Sequence, residues 1–423
     1  MPFSVKPQSM SAGEPARALW ISTVAFTVCF AVWTIFAIIG VRIKQELGLN
    51  EAEFGLLVGT PVLTGSLVRI VLGIWTSRYG GRLVYTLTMV AAAIATFLLS
   101  YATSYTEMLI AGLGIGLAGG SFAVGVAYVS PFFPPEKQGT ALGIFGAGNV
   151  GAAVTKFAAP FVLIAWGWQA VAEIWAVVLL AMAIVFWFST TDDPAFRDRR
   201  CRGVASKSFL EEFAPLKNIQ VWRFSLYYFF AFGGFVALSL WLPRYLVGVY
   251  GFNLEIAGMI AAAYSVPGSI FRAFGGVLSD KKGARSVMYA MLAVSAAATL
   301  ILSLPAASPS GPGPALGITP AIFIIVIFVL GFFMSLGKAA VYKHIPAYYP
   351  ESVGAVGGVV GMMGGLGGFI LPIAFGLLKD ITGLWSSCFL LLFAIVVTSL
   401  IWMHLSVKHL SRQGHAVPAV AAT

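Results

Sequence analysis

Long stretches without charge alternate with short polar ones along most of this chain. Twelve apolar runs stand out, at about 19–41, 54–76, 83–103, 108–132, 138–165, 169–190, 222–246, 254–279, 285–304, 320–343, 353–378 and 384–406. Each is close to the ~20 residues that cross a bilayer as a helix. The longest polar stretch, 191–220, separates run six from run seven. It carries Asp192, Asp193, Arg197, Asp198, Arg199, Arg200, Arg202, Lys207, Glu211, Glu212 and Lys217. The pattern predicts an all-α membrane protein of twelve transmembrane helices. They divide into an N-terminal six-helix bundle (1–190), a linker (191–220) and a C-terminal six-helix bundle with a tail (221–423).

Composition agrees. Of 423 residues, 59% are hydrophobic and 10% charged, against ~25% charged in a soluble chain. A soluble enzyme, a disordered chain and a fibrous protein are excluded. The net charge of +10 would suggest nucleic acid in a soluble protein, but here its distribution is an orientation signal. With both termini on one side, that side receives seventeen Lys and Arg, and the other receives Arg42, Lys44, Arg244 and Lys379. Basic loops stay cytoplasmic, so both termini and the linker are expected there. The expected surroundings are the lipid of a cell inner membrane, with no nucleic-acid partner. Run one is too long for a signal-peptide core and reads as an uncleaved first span.

Cys29, Cys201 and Cys388 give neither a disulfide framework nor metal spacing. The only histidines are His344, His404, His409 and His415, too few inside spans to hold haem. No cofactor, metal or catalysis is expected. No loop is long enough for a sensing or effector domain, and the Pro-rich stretch 305–320 reads as an external loop.

The halves repeat. Gly65-Ser-Leu-Val-Arg69 matches Gly268-Ser-Ile-Phe-Arg272 at an offset of 203, which also maps Gly73 to Gly276, Gly80 to Gly283 and Arg82 to Arg285. A second register, offset 215, maps Gly139 to Gly354, Gly143 to Gly358 and Gly146 to Gly361. The difference fits an insertion at 305–320. Repeats of this kind place a substrate at mid-membrane between the halves. Segments 73–82 (GIWTSRYGGR) and 276–285 (GVLSDKKGAR) resemble the loop motif of the major facilitator superfamily. The motif's aspartate is present as Asp280 and replaced by Ser77 in the first copy.

Arg69 and Arg272 lie mid-run at matching repeat positions. An arginine there costs about 2.5–3.5 kcal/mol on insertion scales. The two guanidinium forks are read as a clamp for a small anion, since each binds oxyanions through paired N–H groups. The structural alternative is an arginine satisfied by carbonyls or snorkelling to an interface. Glycines one turn to either side of each arginine should let a neighbouring helix approach and turn the guanidinium inward. The only acid clearly inside a run is Glu173, near an end. A positive cavity without carboxylates selects anions. Lys156 and Lys338 add positive charge. They are candidates for proton coupling, because a buried ammonium can shed its proton; capping a helix is the other reading.

Run five holds Gly143, Gly146, Gly148, Asn149 and Gly151, and run eleven holds Gly358, Gly361, Gly364 and Gly365 among eight glycines. Helix packing accounts for glycine in a span; bending, sliding and exposed backbone are the further possibility. The stretch Gly143-Ile-Phe-Gly-Ala-Gly-Asn149-Val-Gly151 resembles the signature of the nitrate/nitrite porter (NarK-like) family, and the run-eleven glycines resemble its second copy. The resemblance covers nearly the whole chain. It implies that Arg69 and Arg272 bind the anion, that Phe122, Tyr228 and Phe232 sandwich it, and that Asn149 is the signature asparagine. Ring faces suit a flat, weakly hydrated ion, although any one such ring would by itself be ordinary packing. The segment Lys338-Ala-Ala-Val-Tyr-Lys343-His344 is similar to the proton-symport subgroup.

The expected function is nitrate or nitrite transport by alternating access, as proton symport, by a monomer. Nitrate/nitrite exchange is the first alternative and a carrier of another small anion, such as a carboxylate, the second.

Overall fold

A computed structural model describes residues 13–202, 217–306, 317–348 and 353–412. Nearly all of them are helical. The one pairing of extended backbone is an isolated bridge between Ala306 and Ile318.

Among the described residues, eleven helical segments are long and apolar enough to cross a membrane. One of them, Thr140–Ser189, has 50 residues. That is ~75 Å of helix, more than twice the ~30 Å hydrocarbon core. It is two spans, because Gly167 breaks it with φ 87° and ψ 169°, a conformation that glycine holds and other residues resist. The spans are therefore α1 (Glu14–Leu47), α2 (Glu51–Tyr79), α3 (Gly81–Leu99), α4 (Tyr105–Phe132), α5 (135–166), α6 (168–189), α7 (Ile219–Tyr250), α8 (254–282), α9 (Ala284–Leu302), α10 (Pro320–Tyr348), α11 (Val353–Thr382) and α12 (Ser387–Arg412). This is the twelve-span pattern that the apolar runs predict.

The sequence repeat is a repeat of backbone. The α2–α3 turn pivots on Gly80 (φ 90°, ψ 139°) and the α8–α9 turn on Gly283 (φ 80°, ψ 133°). The first turn is fastened to the chain around the end of α6. Gly81 donates to Asp193 at 3.3 Å, and Arg82 donates to the Trp187 carbonyl at 2.6 and 3.1 Å while lying 4.1 Å over its ring. The side chains of Ser77 and Asp280, on which the loop motif turns, lie outside what the structure describes.

Five spans are interrupted part-way along. The breaks fall at Thr34–Ile35 in α1, Gly116 in α4, a 3₁₀ turn Ala147–Val150 in α5, a π turn Phe229–Gly234 in α7 and Phe271 in α8. Irregular backbone at membrane depth survives only where protein surrounds it or a cavity adjoins it, and such turns recur at functional sites.

Three helix pairs join the first half to the second most extensively, α2 with α11, α5 with α8 and α1 with α7. At one end the first of these meets backbone to backbone. A Cβ on Gly55 would stand 2.9 Å from Ile373 Cα, and one on Gly59 2.9 Å from the Phe369 carbonyl oxygen. The same end carries a polar latch between the halves. Arg244 holds Glu51 at 2.5 and 3.3 Å and stacks 4.8 Å over Trp385, while Asp380 accepts from the Ala52 N–H at 3.0 Å. Toward the other end, where Arg78 and Lys281 lie, the spacing opens. A Cβ on Gly73, Gly276 or Gly358 would meet nothing within 4 Å.

Candidate anion-binding site

Arg69 lies on unbroken α2, and Arg272 opens the second segment of α8 directly after the break at Phe271. Both are buried, 6% and 7% exposed. Arg69 donates through Nη1 to the Gly361 carbonyl of α11 at 3.0 Å, across the halves, while its Nε has no partner. Arg272 keeps Nη1 buried without a partner. Among the described residues no carboxylate pairs with either. A buried donor left unpaired costs about 1–3 kcal/mol, more when charged. Two such donors in one place therefore make a site that is complete only with an acceptor.

The rings come next. Phe122 of α4 stands between the two cations, 5.7 Å from Arg69 Cζ and 5.4 Å from Arg272 Cζ. Phe232, in the π turn of α7, lies 5.4 Å from Arg69 Cζ. Tyr228 stacks on Phe232 at 5.3 Å and 7° and meets Tyr342 edge-on at 5.0 Å. The structure thus brings Phe122 and Phe232 to the arginines, and reaches Tyr228 through its neighbours. Cation–π contact stabilises a guanidinium without neutralising it, so the charge stays available.

The signature glycines divide by task. Four clear space at the site. A Cβ on Gly146 would stand 3.3 Å from Arg272 Cζ, on Gly361 2.7 Å from the Tyr342 hydroxyl and on Gly364 directly against the Tyr228 ring, while one on Gly365 would strike Ser66, at 2.9 Å from its Cβ, with Arg69 Nη1 behind it at 3.5 Å. Gly148 and Gly151 instead seat α5 on the α1 backbone at Thr23, Thr27 and Ala31. Gly143 faces Ala273 at 3.7 Å, and Gly358 faces open space. Of the glycines flanking the arginines, Gly65 and Gly268 admit Trp33 and Phe235, whereas Gly73 and Gly276 admit no neighbour. The expectation of a helix packed on both sides holds on one side only, because the spacing opens beyond the arginines.

Asn149 lies in the 3₁₀ turn of α5, fully buried, with both amide atoms unpartnered. Lys156 donates to the Ala152 carbonyl of its own helix at 3.0 Å. Lys338 donates to the Gly268 carbonyl, one turn before the α8 break, with its ammonium 3.5 Å over the Phe235 ring. Both lysines are fully buried.

Three residues here were missed from sequence. Trp33, beside the α1 break, lies 5.9 Å from Arg69 Cζ and donates to the Pro61 carbonyl at 2.8 Å. Phe145, inside the signature, stacks on Phe122 at 5.8 Å and 23°. Tyr342 lies 5.8 Å from Arg272 Cζ and donates to the Gly357 carbonyl at 3.0 Å. Tyr342 stands in the segment read for its lysines alone.

A family model described as Major Facilitator Superfamily matches residues 21–318 and, in a second match, 254–419. A Thermus thermophilus protein named "Probable nitrate/nitrite antiporter NarK1" is 43% identical, over 94% of this chain and 93% of its own. The chain belongs to the NarK-like family of the major facilitator superfamily. The "Nitrite extrusion protein" of Bacillus subtilis is 30% identical, over 91% of this chain and 94% of its own. Among solved structures, a bacterial homolog of the human lysosomal transporter Spinster, inward-facing and unoccupied, aligns with TM-score 0.70 at 18% identity. The alignment covers 94% of this chain and 98% of that one. This likeness concerns the fold alone. The paired glycine turns at Gly80 and Gly283 of this NarK-like chain lie in the two segments that resemble the superfamily's loop motif, and Arg69 reaches across the halves to the Gly361 carbonyl.

Proposed function

We propose that this NarK-like protein carries nitrate, and nitrite, across the cell inner membrane by alternating access. The units that rock are residues 1–190 and 221–423, joined by 191–220, with both termini cytoplasmic and the monomer as the working carrier. The observation that carries the reading is the pair of buried guanidiniums flanking Phe122, with unpartnered N–H groups and, among the described residues, no carboxylate paired with either. A flat oxyanion supplies acceptors in the plane of each fork, and Phe122 and Phe232 bound its faces. The names of the similar proteins support the same substrate.

Flux of labelled nitrate into proteoliposomes tests it, with nitrite and a small carboxylate as competitors. Saturable uptake blocked by nitrite is expected. Uptake of the carboxylate, unaffected by nitrate, would put the substrate in another class.

Coupling is proposed as nitrate–proton symport, with Lys338 the proton carrier and Lys156 the second candidate. Lys338 touches α8 at the turn that leads into Arg272, so the state of its ammonium bears on that arginine. Lys338→Ala is expected to abolish uptake driven by a pH gradient while leaving nitrate/nitrite exchange near its original rate. Equal loss of both would show damage to the site, and an unchanged pH-driven rate would remove Lys338 from coupling. Exchange is the second reading. It is favoured by the absence of any carboxylate at the described arginines, since an arriving anion then neutralises the site for each crossing.

The latch gives a further prediction. Reversing Arg244 to Glu opposes Glu51 with a like charge, and nitrate flux should fall by roughly tenfold as closure of that end weakens. Adding Glu51→Arg should restore part of it, since Glu51 also pairs with Lys44 of its own half at 3.7 Å. Unchanged flux in Arg244→Glu alone would mean that the pair plays no part in closure.

A further inference from the structure

The repeat relates Arg69 to Arg272 and Gly361 to Gly146, yet the two arginines are not held alike. Arg272 lies against Gly146 with Nη1 unpartnered. Arg69 donates to the Gly361 carbonyl, a bond that joins α2 of the first half to α11 of the second. Symmetry of the glycines does not account for the difference, because a glycine stands at both places.

Tyr342 does account for it. Its hydroxyl donates to the Gly357 carbonyl at 3.0 Å and lies 2.7 Å from where a Cβ on Gly361 would stand. The hydroxyl therefore occupies the space that a side chain at Gly361 would need and grips the turn before it. The ring is fixed from two sides, edge-on to Tyr228 at 5.0 Å and 5.8 Å from Arg272 Cζ. In the first half the position 215 residues earlier is Ala127, which has neither ring nor hydroxyl. The half that has the tyrosine is the half whose glycine carbonyl holds an arginine.

Resting on the anion-carrier reading, we infer that Tyr342 is a positioning residue. It holds the Gly357–Gly361 turn where the Gly361 carbonyl occupies Arg69 until an anion takes that place. The carbonyl is then an internal competitor of the substrate. Arg272, which holds no carbonyl among the described residues, meets the anion first, while Arg69 offers only its unpartnered Nε. Transfer of Arg69 from carbonyl to anion breaks a bond between the halves at the moment the site fills.

The sign of the effect separates this from a packing role. Tyr342→Phe keeps the ring and removes the hydroxyl. If the hydroxyl steadies a competitor, nitrate should bind the purified variant more tightly, by ~3–10-fold, the weight of one buried hydrogen bond. The readout is the nitrate concentration that protects against thermal unfolding, with KM for uptake falling in parallel. Damage to packing would weaken binding, and Tyr342→Leu, which also removes the ring, should do so. Unchanged or weaker nitrate binding by Tyr342→Phe overturns the inference.

A second measurement needs no ligand. Deuterium exchange of the backbone at 356–365 in the anion-free carrier should rise in Tyr342→Phe, because the turn has lost its tether. An unchanged rate also overturns the inference. A wild-type protein that bound no nitrate would instead sink the functional reading, and exchange would still decide the role of Tyr342.

Discussion

Arg69→Lys and Arg272→Lys are each expected to cut nitrate uptake in proteoliposomes by roughly 10²–10³-fold, with folding retained. Lysine keeps the charge, so the electrostatic attraction of the site survives. What is lost is the planar fork, which presents two N–H groups in the plane of an oxyanion. Charge-assisted hydrogen bonds contribute about 1.5–3 kcal/mol each, and the unpaired groups on Asn149 and on the remaining arginine stay buried. The loss should fall mainly on affinity. Near-normal KM in either lysine variant would rule out bidentate clamping and leave the arginines as a diffuse positive field. The two should also differ. Arg69→Lys removes a bond between the halves as well as a ligand contact, whereas Arg272→Lys removes only the ligand contact.

Gly55→Ala is expected to stop turnover from the other direction, by hindering closure. The added methyl would meet Ile373 Cα at 2.9 Å, and backbone cannot step aside as a side chain can. Overpacking of this kind costs about 1–3 kcal/mol, or ~5- to 150-fold in an equilibrium between two states. The charge falls only on the state in which the Glu51 end is shut. The carrier should therefore shift toward opening at that end, with nitrate flux down at least tenfold and nitrate binding retained. A cysteine placed at Gly276, which faces open space here, should be alkylated more slowly in the variant. Normal flux would mean that α2 and α11 do not need this approach.

The twelve spans were legible because a run of twenty apolar residues has few other fates. The paired arginines were legible because charge in such a run is costly and the repeat marked both. Other features had no such signal. Trp33 and Tyr342 are aromatic residues in apolar runs, where any ring looks like packing. Glycine is one letter whether it clears space for Arg272, as Gly146 does, or seats one helix on another, as Gly151 does. The latch joins Glu51 to Arg244, two run-end charges far apart in sequence, and only the folded chain brings them to 2.5 Å. The π turn at Phe229–Gly234 leaves no mark in the periodicity, and the break at Phe271 comes one turn after Pro267, a proline whose letter in an apolar run does not say where the helix will part.

Among the described residues no acid partners either guanidinium, and this has an electrical consequence. A monovalent anion takes the arginine pair from two net positive charges to one. A membrane potential acts on charge that changes sides, with ~2.3 kcal/mol per elementary charge per 100 mV for full transfer. In the proton-coupled cycle a proton taken up on Lys338 restores the second charge, so loaded and vacant carriers cross with equal charge and voltage weighs on both steps alike. In exchange the carrier crosses only when loaded, with one monovalent anion each way, and the work done by the potential cancels over the cycle.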